Sequence, residues 1–147
     1  MKEKIKKFLK DNDLLPLSRW NYFEIVHGGI SPTDIQKEAD YLKIRNHVLG
    51  KSGLYVYEKD KKVIYVGKAK SLFGRIKNHY VSSHKEAADD TKNKLRHRFF
   101  SSRRNLGKLK IYWKEQEGEE IRKIIEKMMD YVLEPEFNNF REKYKNS

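Results

Sequence analysis

Gly53-Leu54-Tyr55-Val56-Tyr57-Glu58-Lys59-Asp60-Lys61-Lys62-Val63-Ile64-Tyr65-Val66-Gly67-Lys68-Ala69-Lys70-Ser71-Leu72 is the stretch on which the fold turns. Two β-rich runs, Leu54 to Tyr57 and Val63 to Val66, flank the polar segment Glu58 to Lys62, and this pattern predicts a hairpin. Ser71 can then cap a helix running through Leu72, Ile76 and Tyr80. Tyr55 and Tyr65 fall on the two arms. A turn centred on Asp60 opposes them directly on one face, whereas a two- or four-residue loop sends them to opposite faces. The sequence leaves that choice open, and taken alone two strand tyrosines are ordinary β-formers.

Working outward, a polar segment from Ser82 to Asp90 leads into a predicted helix from Thr91 to Arg104, then a strand at Leu109 to Trp113. A strong helix follows from Glu119 to Leu133, with acidic residues at its start, a stripe of Ile121, Ile125, Met128, Met129 and Val132, and Pro135 just past its end. Upstream, Lys2 to Lys10 carries Ile5, Phe8 and Leu9 at helical spacing. A second N-terminal helix is predicted from Ser31 as N-cap, with Pro32 in the first turn and Asp34 near the positive end of the dipole. It should reach about Val48 with Ile35, Ala39 and Leu42 facing inward. The expectation is an α+β fold: a small three-stranded antiparallel or mixed sheet flanked by helices, with a mainly helical N-terminal extension. Residues 1–50 form that extension and residues 51–147 the main domain.

With 147 residues, 37% hydrophobic and 37% charged, the chain suits one domain with a modest core. The absence of cysteine excludes disulfides, thiolate nucleophiles and zinc ribbons, so any metal must sit on oxygen or imidazole. The charged N-terminus is no signal peptide, and no apolar run approaches the ~20 residues that span a bilayer; a cytoplasmic protein with no membrane partner is expected. The net charge of +12 is uneven. Residues 1–52 carry 10 basic and 7 acidic side chains, residues 53–114 carry 17 and 5, and residues 115–147 carry 6 and 9. The middle block is therefore the expected footprint of a polyanion, with nucleic acid first. Within it Arg96, Arg98, Arg103, Arg104 and Lys108 lie in and after one predicted helix, where several can follow a phosphate backbone.

Other residues in the same block could bear chemistry. Gly67 follows the second β-run, and a glycine at a strand-to-helix junction lets backbone approach a phosphate. Lys68 and Lys70 beside a helix N-terminus favour the same anion, although the spacing is not that of a Walker loop. Arg75 and His79, four apart, share a helical face, which suits either a phosphate site or a plain surface pair. Glu126 stands four residues from Arg122 and, on sequence alone, ranks with Asp130 and Glu120 as a carboxylate. The histidines lack cysteine partners and any zinc-like spacing.

Taken together, Gly53-Leu54-Tyr55, then Tyr65-Val66-Gly67-Lys68-Ala69-Lys70-Ser71-Leu72, then Arg75 and His79, resemble the GIY-YIG nuclease family. The run from Tyr65 to Ile76 is especially similar to the N-terminal nuclease domain of the bacterial excision-repair endonuclease. Its later glutamate, proline and asparagine are matched in spacing by Glu126, Pro135 and Asn138. Leu54 and Val66 replace the isoleucines of the family name, and His79 is more like homing and restriction members than the tyrosine of the repair enzymes. The resemblance covers Gly53 to Asn138.

The resemblance implies a divalent-metal-dependent phosphodiesterase acting on double-stranded DNA, with one Mg²⁺ or Mn²⁺ held by Glu126. It implies that Arg75 stabilises the pentacovalent phosphate, that Tyr55 and Tyr65 position or deprotonate water, that His79 shares this catalytic set, and that Asn138 supports the site. A hard oxygen ligand and an arginine clamp suit such chemistry. The leading expectation is an endonuclease of restriction or mobile-element type that leaves 5′-phosphate and 3′-hydroxyl ends. The alternatives are a repair-type structure-specific nuclease, a GIY-YIG-like binding module without turnover, and a basic RNA-binding domain. One active site cuts one strand at a time, so a double-strand cutter is expected to form a homodimer or rebind.

Overall fold

The two-residue turn at Asp60 and Lys61 organises the sheet. Both residues have positive φ, 49° and 67°, the mirror-image turn whose twist matches that of the flanking strands. It joins β2 (Gly53–Lys59) to β3 (Lys62–Ala69), placing Lys59 opposite Lys62 and Glu58 opposite Val63. One step further the register shifts, so that Tyr57 opposes Tyr65 and Ile64 is an extra residue on β3. This bulge reverses the parity that the loop alone would impose. Tyr55 opposes Gly67, and Tyr55, Tyr57 and Tyr65 all reach one face. Tyr55 and Tyr65 are thus diagonal neighbours, not directly opposed.

The computed structural model describes residues 1–27, 33–84, 94–102 and 107–145. Its further elements are α1 (Lys2–Asp11), β1 (Asn21–His27), α2 (Asp34–Val48), α3 (Leu72–Ser83), α4 (Lys94–Ser102), β4 (Gly107–Glu115), α5 (Glu119–Leu133) and α6 (Glu136–Lys145). The fold is α+β, an antiparallel sheet in the order β1-β4-β2-β3 with helices on both faces. The sheet has four strands where three were expected. The fourth is β1, inside the segment read as mainly helical. Its Phe23, Ile25 and His27 alternate inward, but its partner β4 lies some 80 residues further along the chain, and no local signal announces that pairing.

One face of the sheet packs Phe23, Ile25, Tyr55, Tyr57, Tyr65, Ile111 and Trp113 against α2, α3 and α4. The other packs Leu54, Val56, Val66 and Tyr112 against Leu9 of α1 and Ile125 and Met129 of α5, with Trp20 donating Nε1–H to the Leu14 carbonyl at 3.0 Å. Ser71 caps α3 as expected, accepting from the Gly74 amide. In α2 the N-cap is Thr33, whose hydroxyl accepts from the Gln36 amide; the predicted cap Ser31 and Pro32 lie outside the described residues. The inward face of α2 also differs from the expectation. Asp40, Ile44 and Val48 are buried, while Ile35 and Leu42 are exposed. The reason is polar: Asp40 accepts the hydroxyl of buried Tyr80 on α3 and the Gln36 amide, which sets the rotation of the helix.

Candidate active site

Gly67 makes the site possible. It lies inside β3, two residues before the strand ends at Ala69, and not at the strand-to-helix junction that the sequence suggested. A Cβ there would overlap the Cζ and hydroxyl of Tyr55 and stand 2.6 Å from its Cε1. The absent side chain is the space in which the Tyr55 ring lies across the neighbouring strand. Gly53 answers a similar demand, since a Cβ there would collide with the Lys114 carbonyl.

From that position the Tyr55 hydroxyl meets His79 Nε2 at 2.7 Å, both residues being buried. Tyr65 stacks on Tyr55 with centroids 5.9 Å apart and packs edge-on to His79 at 5.2 Å. His79 is therefore a core group bonded to a strand, not one half of a surface pair with Arg75. Burial holds its pKa well below the ordinary histidine value, and Arg96, His27 and Arg75 reinforce the neutral form. Burial raises both tyrosines above the ordinary phenol value. For Tyr65 the opposing influences are Arg96, a hydrogen bond with Tyr55, and Arg75. A hydrogen-bonded chain of two protonated phenols thus ends on a neutral imidazole.

The chain then wraps the outer edge of β3. The αL residue Glu134 and Pro135 turn it from α5, packed on one face, into α6, whose Phe137 stacks on Tyr65 at 5.1 Å on the other. This brings Glu126 and Asn138 to one side of the edge, where both line an open cavity of about 560 Å³ with Asp130 and Arg141. Asn138 donates from Nδ2 to Asp130 Oδ2 at 3.3 Å. Arg122 does not hold Glu126; it is buried and donates Nη1–H to the Gln116 carbonyl. Burial raises the Glu126 pKa above the ordinary carboxylate value, against the pull of Lys68, Arg96 and Arg75, while Asp130 adds to the rise. The charges of Arg75 and Arg96 each reach Tyr55, Tyr65, His79 and Glu126. Among the described residues no three His, Asp or Glu side chains converge as a ligand group, so a cation here would rest on Glu126, with Asp130 one turn away. A half-buried carboxylate with an open cavity in front of it suits a hard divalent ion that keeps much of its water.

The other expected contacts are dispersed. Lys70 is exposed, with its carbonyl accepting from Ser52 Oγ at 2.6 Å. Arg98 is half-buried on α4. Lys108 pairs with Glu24 of β1 at 3.3 Å, on the sheet's far side from β3. Arg103 and Arg104 lie outside the described residues. What the sequence reading missed is the aromatic wall of Phe99, Phe100 and Phe137 around Tyr65 and His79. Its signal was the adjacent pair Phe99-Phe100 within an otherwise basic helix.

No protein-family model matches the sequence, and no curated protein matches it. Among solved structures the chain is similar to the GIY-YIG N-terminal endonuclease domain of UvrC from Thermotoga maritima, determined as a tyrosine-to-phenylalanine mutant bound to its catalytic divalent cation. The two share 18% identity with a TM-score of 0.44, over 65% of this chain and 93% of that domain.

Proposed function

We propose that the protein is a divalent-metal-dependent endonuclease that hydrolyses phosphodiester bonds of double-stranded DNA to 5′-phosphate and 3′-hydroxyl ends, in restriction or mobile-element use. The observation that carries this reading is the buried cluster of Tyr55 bonded to His79 with Tyr65 stacked on it, where Tyr65 feels the charges of both Arg75 and Glu126. Glu126 would hold one Mg²⁺ or Mn²⁺, which when bound supplies Lewis-acid stabilisation of phosphate charge. Arg75 donates hydrogen bonds to the phosphate oxygens as negative charge builds there, and its guanidinium never gives up a proton.

The tyrosine chain has an order. Of the two phenols Tyr65 is the one that feels the Glu126 carboxylate as well as the arginines, which favours it to orient the attacking water. Tyr55 and neutral His79 stand behind it as the path along which a proton can be relayed. Water attacks phosphorus, the bond to the 3′ oxygen breaks, and the departing oxygen takes up a proton. Asn138 keeps Asp130 in place beside Glu126. Lys68 and Lys70 flank the incoming strand, with Arg98, Arg103, Arg104 and Lys108 as further backbone contacts, and paired cuts call for a homodimer or rebinding.

The test is cleavage of plasmid DNA with Mg²⁺, with Mn²⁺ and with chelator. Metal-dependent nicking or linearisation is expected, and Glu126→Gln and Arg75→Ala should each lower the rate by about 10²–10³-fold. Retention of DNA binding without cleavage under any metal would leave a binding module in place of an enzyme. If both variants keep native circular dichroism and wild-type cleavage, these residues do not form the active site.

A further inference from the structure

We propose that Arg96 is a further catalytic residue, a second guanidinium that grips the oxygens of the scissile phosphate together with Arg75. The inference rests on the nuclease reading above and changes what the sequence suggested for this residue, a place in a DNA-backbone stripe. It starts from the packing of α4. Phe99 and Phe100 are fully buried, and Phe100 stacks on His79 with centroids 4.1 Å apart and planes 22° apart. Phe100 also lies 5.2 Å from the Tyr65 ring, and Phe99 lies 5.2 Å from that of Phe137. Arg96 precedes these two residues by three and four positions, so it shares their helical face one turn towards the N-terminus of α4. That face is the one turned to Tyr65 and His79.

Arg96 is half-buried on that face. It makes no salt bridge among the described residues, and Glu126, whose carboxylate feels its charge, makes none either. Its charge reaches the same buried tyrosines and histidine as that of Arg75. Two guanidiniums that make no salt bridge among the described residues, beside one carboxylate and two phenols, leave an excess of positive charge in a partly dry place. A phosphodiester brings one negative charge, and its hydrolysis builds a second on the same oxygens, so a paired clamp binds the transition state more strongly than the ground state. Arg96 exchanges no proton and forms no covalent bond; it donates hydrogen bonds only.

Two measurements test this. In single-turnover cleavage at saturating enzyme with Mg²⁺, Arg96→Met should lower the rate by about 10²–10³-fold while the DNA dissociation constant changes by less than about fivefold. Arg96→Lys, which keeps the charge but loses the fork, should recover only part of the rate. A variant with weakened binding and an unchanged saturating rate would make Arg96 a backbone anchor and overturn the assignment. The second measurement uses the wild-type protein, so it stands if the variant misfolds or if the protein cuts nothing. The side-chain Nε–H resonances of Arg75 and Arg96 are followed by NMR during titration with a thymidine dinucleotide. Both should move with one midpoint. Movement of Arg75 with Arg96 unmoved overturns the proposal even if cleavage is robust, whereas absent cleavage with both resonances moving refutes the nuclease reading and keeps the shared phosphate site.

Discussion

Replacing Gly67 by Ala tests the geometry at its tightest point. The new methyl would enter the space held by the Tyr55 ring, 2.6 Å from Cε1 and nearer still to Cζ and the hydroxyl. Carbon atoms rest about 3.5–4.0 Å apart, so the ring must retreat by roughly 1 Å. Overpacking of this kind costs about 1–3 kcal/mol. The retreat also stretches the 2.7 Å contact between Tyr55 and His79, and leaving a buried polar group unpaired costs about 1–3 kcal/mol more. Alanine recovers roughly 0.5–1 kcal/mol over glycine in a strand. The net loss is about 1–5 kcal/mol, which for a chain of this size lowers the melting temperature by roughly 2–20 °C. Thermal unfolding by circular dichroism reads the loss, and plasmid cleavage should fall with it because the relay is displaced. The decisive control is the same substitution in a Tyr55→Leu background, where the ring is gone and the added cost of Gly67→Ala should drop below about 1 kcal/mol. An equal cost in both backgrounds would refute the argument that Gly67 exists to admit Tyr55.

Other outcomes follow from the same contacts. His27 is fully buried and its pKa is lowered by burial, then by His84, to about 3. An unfolded chain therefore takes up a proton below pH 6.5 that the folded one refuses, and stability present above that pH falls by about 2 kcal/mol by roughly pH 5. Denaturant unfolding at the two pH values should show this loss, and His27→Leu should remove about that share of it. Tyr65→Phe should slow cleavage more than Tyr55→Phe if Tyr65 faces the water; the reverse order in single-turnover rates would exchange their roles. Lys68 is the largest influence holding the Glu126 pKa down, so Lys68→Gln should raise the titration midpoint of that carboxyl, read by side-chain carbon NMR in metal-free buffer. No movement of that midpoint would detach Lys68 from the site.

The elements that rest on local chemistry are legible in the chain's own order of residues. Ser71 before Leu72, the acidic start and Pro135 end of the helix from Glu119 to Leu133, and the two β-rich runs that form the hairpin all depend on neighbours within a few residues, and all stand in the structure. Motif spacing also brought Glu126 and Asn138 into consideration, and they share one cavity. The remaining features depend on contacts between distant parts of the chain. Whether Tyr55 and Tyr65 share a face depended on a bulge at Ile64, a one-residue feature that no alternation pattern reveals because it changes parity without changing composition. The fourth strand needed a partner some 80 residues away. The phase of α2 came from a carboxylate on Tyr80, not from its apolar residues. His79 and Arg75, equivalent by spacing, were separated by Phe100 and Tyr55, which closed over one and left the other half-exposed. Local propensity reads the nearest neighbours along the chain, whereas burial is set by what the fold lays on top.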